Sequence, residues 1–151
     1  MADQPASNAA FADSFGLTFH HLGLAVAKPE TARVFLVKLG YRIGPAMLDP
    51  VQNVNLAMAD HATMPSVEII WPAEGKGPLD RYLKEHRAGL VYHMAFSAKD
   101  LSASVAALKA DPDIRAIFWA EPQPAVLFQG RKIVFCIVNG VGLIELVAEH
   151  V

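Results

Sequence analysis

The sequence predicts an α+β domain built from two copies of one module, strand–helix–strand–strand–strand. Three observations carry that prediction. The same order of short strands and helices runs once from Thr18 to Pro72 and again from Leu90 to Glu149. Each copy places a histidine in its first strand and a glutamate in its last. The period also exceeds the roughly 20–50 residues of solenoid repeats, so two copies point to one pseudo-symmetric domain.

The elements follow in order. Residues 1–16 (MADQPASNAAFADSFG) have no basic start and no continuous apolar stretch. They read as a loosely ordered, disordered tail and not as a secretory signal. The domain then spans 17–151, with module one at 18–72, a connection at 73–89 and module two at 90–149. Phe19 to Val26 is the first strand. Pro29 and Glu30 open a helix through Leu39, with Ala32, Phe35, Leu36 and Leu39 on one face, and Gly40 stops it. Tyr41 to Met47, Asn53 to Ala59 and Ser66 to Trp71 read as strands, punctuated by Asp49-Pro50 and Met64-Pro65. The connection carries a short helix at Pro78 to Glu85. Module two repeats the order: a strand at Leu90 to Ser97, then a helix at Lys99 to Lys109 with Leu101, Val105 and Leu108 on one face. Strands at Ile114 to Trp119, Arg131 to Val138 and Gly142 to Ala148 complete it.

Composition narrows the function. Of the 151 residues, 53% are hydrophobic, ample for a core, yet no apolar run reaches the length of about 18 needed to span a membrane. A net charge of −2 gives no reason to expect nucleic acid or an anionic membrane as partner. The single cysteine, Cys136, excludes an internal disulfide and a cysteine-based zinc site, and fits a reducing, cytoplasmic location. Within Ile133 to Val138 it reads as a small buried hydrophobe.

The chemistry lies in the repeated pairs. His21 and Glu68 belong to module one, His93 and Glu145 to module two. Val67-Glu68-Ile69-Ile70 matches Ile144-Glu145-Leu146-Val147. A carboxylate flanked by branched aliphatics costs several kcal/mol to bury unless it is paired or binds a cation. Strand alternation places Ser66 and Ile70 beside Glu68, Ala95 beside His93, and Leu143 and Val147 beside Glu145. Small or apolar companions suit a cavity inside a curved sheet. Two imidazoles and two carboxylates there form a mixed nitrogen and oxygen site for a first-row divalent ion, with room for water or substrate. The same alternation points His20 away from His21. His61, His86 and His150 read as solvated, and Trp71 and Trp119 as core. Lys76, Arg81, Arg131 and Lys132 read as surface charge, and are the cations at hand for phosphates or carboxylates. Phe128 either caps the cavity or packs in the core.

The segments His21-Leu22-Gly23-Leu24-Ala25-Val26, Val67 to Pro72, Tyr92-His93-Met94-Ala95-Phe96 and Gly142 to Leu146 together resemble the vicinal oxygen chelate superfamily, which includes glyoxalase I and methylmalonyl-CoA epimerase. The resemblance runs from Phe19 to Glu149. It implies two paired βαβββ modules curled into a half-barrel, the glyoxalase/bleomycin-resistance-like fold, around a metal held by His21, Glu68, His93 and Glu145. The ion would be Co, Ni, Mn, Zn or Mg.

The chemistry this implies is chelation of two neighbouring oxygens and removal of a proton beside a polarised carbonyl. Glu145 is the first candidate for the base, with Glu68 or Asp49 serving the opposite face. Epimerases of the family usually carry a glutamate in the loop matching Asp49 to Gln52, where this chain offers only Asp49. The leading expectation is therefore a metal-dependent isomerase or epimerase, methylmalonyl-CoA epimerase-like. The alternatives are a glyoxalase I-type lactoylglutathione lyase, a ring-cleaving dioxygenase, and a non-catalytic small-molecule-binding (resistance) protein. The substrate would be a small molecule, a coenzyme A thioester or a glutathione adduct. Uncovered edges of a half-barrel lead us to expect a homodimer, and the sequence leaves open whether one chain or two complete the site.

Overall fold

The computed structural model describes residues 13–151. Module one contains β1 (Leu17–Ala25), α1 (Glu30–Lys38), β2 (Arg42–Ile43), β3 (Met47–Asp49), β4 (Val54–Asp60) and β5 (Ser66–Pro72). Helix α2 (Leu79–Glu85) lies in the connection. Module two contains β6 (Leu90–Ala98), α3 (Leu101–Ala110), β7 (Ala116–Phe118), β8 (Gln123–Pro124), β9 (Lys132–Val138) and β10 (Gly142–Ala148). All the strands join one open sheet in the order β2-β4-β5-β1-β6-β10-β9-β7, with β3 added to β4 and β8 to β9. β5 runs parallel to β1, β10 runs parallel to β6, and β1 meets β6 antiparallel. The two modules are thus related by a pseudo-two-fold axis between β1 and β6. This is the predicted α+β architecture.

One predicted strand is divided and another is shortened. Tyr41 to Met47 yields only β2 and β3, because Pro45 between them has no N–H to give to the ladder. Ile114 to Trp119 shortens to β7, and a two-residue strand, β8, follows beyond Pro122. The prolines make the same break in both modules.

Strand alternation sorts the sheet's two faces. On one face Ile69 packs with Leu36 of α1, and Ile144 and Leu146 pack with Leu108 of α3. Glu68 and Glu145, one position off, therefore face the opposite side. There Leu79 and Leu83 of α2 close over Ala25, Val54, Leu56 and Ile70. Helix α1 departs from expectation. Leu36 is its one buried residue, while Phe35 is 61% and Leu39 45% exposed. Nine residues make two and a half turns, too few for the full apolar stripe to reach the sheet.

Of the expected loose tail, residues 1–12 lie outside the described residues. Asp13 to Gly16 form a turn in which Asp13 Oδ1 accepts from the Phe15 and Gly16 N–H groups, and Ser104 of α3 donates to the Phe15 carbonyl. No helix among the described residues is long and apolar enough to cross a membrane.

Candidate metal centre

The central strand pair is irregular at two places. Phe19 pairs with Phe96 and His21 with Ala95, leaving His20 as an extra residue in β1. Gly23 pairs with His93 and Leu24 with Val91, leaving Tyr92 as an extra residue in β6. Each bulge sits immediately before a histidine of the repeated pair, as the pseudo-two-fold requires. Bulges re-aim side chains, and the two imidazoles meet: His21 Nε2 lies 3.2 Å from His93 Nε2.

Both glutamates arrive at the same point. Glu145 Oε2 lies 3.2 Å from His21 Nε2 and 3.1 Å from His93 Nε2. Glu68 Oε2 lies 3.5 and 3.4 Å from the same nitrogens. One nitrogen or oxygen from each of the four residues falls within 4.8 Å of the others. Relative exposure is 0% for His21, 4% for Glu68, 3% for His93 and 2% for Glu145. All four come from one chain, two from each module.

Such a group needs positive charge at its centre. Two imidazole nitrogens facing each other at 3.2 Å require a proton or cation between them, and Glu145 Oε2 is buried without a hydrogen-bond partner. Protons can supply it. Burial opposes charging His21, but the carboxylates of Glu145 and Glu68 beside it prevail and lift its pKa to about 9. Burial likewise works against the Glu145 carboxylate, yet the imidazoles of His21 and His93 beside it carry its pKa down to about 2. For Glu68 burial prevails and raises the pKa. The donor set, depth and unpartnered oxygen fit a divalent ion.

Gly23 makes the convergence possible. A Cβ at this position would lie 2.3 to 2.7 Å from His93 ring atoms, so any side chain would displace the imidazole. Sequence reading passed over this role, since the partner across the strand pair is not visible in the chain. His20 was expected on the opposite face, and the bulge overturns that: its Nδ1 lies 2.8 Å from His21 Nδ1. Phe128 is buried and packs against both, with ring centroids 5.4 Å from His20 and 5.6 Å from His21.

A cavity of about 380 Å³ is walled by Asp49, Tyr92, Trp119, Glu121, Phe135 and Leu143 among others; none of the four clustered residues lines it, and it adjoins them through Tyr92, whose ring lies 5.5 Å from that of His93. The Phe135 ring lies 5.5 Å from that of His93. Trp119 is not core as expected; it is 58% exposed at this wall, whereas Trp71 packs partly buried against the α1 cluster. No lysine or arginine lines the cavity. Lys76 and Arg81 are exposed on either side of Pro78, a lining residue, while Arg131 donates to the Phe128 and Ala148 carbonyls.

Asp49 lines the cavity but stands outside the cluster. Its Oδ1 accepts from the Val51 and Gln52 N–H groups and its Oδ2 from the Gln52 side chain, so both oxygens serve their own turn. His61 likewise serves a turn, its Nδ1 accepting from the Thr63 and Met64 N–H groups, and His86 and His150 are exposed. Cys136 is fully buried, and burial pushes its thiol up to about 11.

Comparison with known proteins agrees with the fold. The sequence pattern of the glyoxalase/bleomycin resistance protein/dioxygenase superfamily matches residues 20–135. Methylmalonyl-CoA epimerase from Mycobacterium tuberculosis superposes with a TM-score of 0.77 at 19% identity, over 94% of this chain and 95% of the other. A hypothetical protein from Bacillus halodurans superposes at 0.73 and 18% identity, over 89% and 96%. A variant of Streptomyces coelicolor methylmalonyl-CoA epimerase in complex with 2-nitronate-propionyl-CoA superposes at 0.69 and 22% identity, over 89% and 99%. A search of curated proteins gives no match.

Proposed function

The chain belongs to the glyoxalase/bleomycin resistance protein/dioxygenase superfamily, and from that premise we propose that it is a metal-dependent isomerase of the methylmalonyl-CoA epimerase type. The observation that carries this reading is the buried convergence of His21, Glu68, His93 and Glu145 beside an open cavity. These four residues would hold one divalent ion. Bound there, the ion supplies Lewis acidity that polarises a carbonyl and eases loss of the adjacent proton.

The residues divide the remaining work. Glu145 makes the shorter contacts to both imidazoles and Glu68 the longer. Either carboxylate can serve as the proton acceptor, with Glu145 the first candidate from sequence. Asp49 shapes the cavity wall through its turn.

Cavity charge bears on the substrate. No lysine or arginine lines the cavity beside Asp49 and Glu121, so the single carboxylate of a methylmalonyl thioester brings less repulsion there than the two of a glutathione adduct. A coenzyme A thioester would leave its phosphates beyond this lining, for which Lys76 and Arg81, exposed on either side of the lining residue Pro78, are candidate partners. The fourth candidate ligand, Glu68, weighs against a dioxygenase centre, which uses two histidines and one carboxylate.

Proton NMR of the Co²⁺-loaded or Ni²⁺-loaded protein in deuterated water tests the proposal. Methylmalonyl-CoA should gain deuterium at its α-carbon, and Glu68→Ala should abolish the exchange. Lactoylglutathione formed from the methylglyoxal–glutathione adduct would instead identify a glyoxalase. Tight binding of either compound without turnover would identify a binding protein.

A further inference from the structure

Resting on the metal-centre reading above, we propose that His20 is a positioning residue: its Nδ1 accepts the hydrogen of His21 Nδ1–H and so aims the His21 Nε2 lone pair at the metal. The contact itself is short, 2.8 Å between the two Nδ1 atoms. It exists because of the β1 bulge, which adds His20 to the strand and brings two consecutive side chains to one side.

Chemistry fixes the direction of the bond. His21 presents Nε2 to His93, Glu68 and Glu145, so a ligating His21 carries its hydrogen on Nδ1. His20 then accepts at Nδ1 and carries its own hydrogen on Nε2. A metal-bound histidine ordinarily donates its second ring N–H to an outer partner that fixes its tautomer. Here that partner is another imidazole.

The pseudo-symmetric counterpart sharpens the assignment. In β6 the bulged residue is Tyr92, whose ring centroid lies 5.5 Å from that of His93, and His93 Nδ1 is buried with no hydrogen-bond partner. Tyr92 is given over to the cavity wall. Of the two imidazoles, His21 is therefore the one oriented through its distal nitrogen. Its support is itself held: Phe128 packs edge-on to His20 at an interplanar angle of 82°, and the Arg131 guanidinium lies 5.4 Å over the Phe128 ring.

Calorimetric titration with Zn²⁺ tests this on the wild type, His20→Phe and His20→Asn. His20→Phe keeps an aromatic ring for Phe128 but cannot accept a hydrogen bond, and should bind Zn²⁺ about 10–100-fold more weakly. His20→Asn, whose side-chain oxygen can take the place of Nδ1, should recover most of that loss. Thermal unfolding of the metal-free variants checks that the fold survives. Long-range ¹H–¹⁵N spectra of the Zn²⁺-loaded wild type give a readout free of substitution, with hydrogens expected on His21 Nδ1 and His20 Nε2. Zn²⁺ affinity of His20→Phe within twofold of wild type, or a hydrogen on His20 Nδ1, overturns the role of His20 alone. A wild type that binds no Zn²⁺ overturns the metal-centre reading and this inference together.

Discussion

At Gly23 a single hydrogen, where other residues carry a Cβ, decides where the His93 ring can stand. Gly23→Ala should push that ring off the cluster and weaken divalent-ion binding by at least the roughly 10–100-fold typical of lost outer support. Isothermal calorimetry would show it, and unchanged affinity would contradict the geometry. Protonation offers a second check at this scale. His21, raised to about 9 from 6.5, stabilises the metal-free fold below pH 6.5 and loses that contribution as pH climbs through 9. Glu145, lowered to about 2 from 4.5, stabilises the fold above pH 4.5 and loses that contribution as pH falls through 2. Glu68, shifted upward, also favours the acidic side. The unfolding midpoint of the metal-free protein should therefore be highest between pH 4.5 and 6.5 and fall toward pH 9; a flat profile there would refute the coupling.

Elements explain what could be read in advance and what could not. The four clustered residues were legible because His21, Glu68, His93 and Glu145 obey strand alternation within their own segments. His20 was misplaced because a bulge belongs to a strand pair: the slip between Phe19 and His21 exists only against Phe96 and Ala95. The α1 stripe was misjudged for a similar reason, since periodicity shows which residues share a face but not how much of it the sheet covers. Leu36→Ala should cost about 2–5 kcal/mol by chemical denaturation, while Phe35→Ala should stay within about 0.5 kcal/mol. Helix α3 begins differently, with Asp100 accepting from the Ala103 N–H. Asp100→Ala should cost about 1 kcal/mol.

For the whole molecule, the decisive feature is that the two modules join through β1 and β6 and each gives one histidine and one glutamate to the same point. The repeat made this pairing readable, while the proline breaks at Pro45 and Pro122 only trimmed strand ends. An ion bound there ties both halves of the chain together. At a free concentration of 100 times its Kd it should add about 2.7 kcal/mol to stability, and a chelator should reverse the gain in a single cooperative unfolding transition. Diffraction from a Co²⁺-loaded crystal at the cobalt absorption edge would locate the ion. One anomalous peak per chain is expected, about 2.0–2.2 Å from His21 Nε2, His93 Nε2 and one oxygen each of Glu68 and Glu145. A peak elsewhere, or none at this cluster, would contradict it.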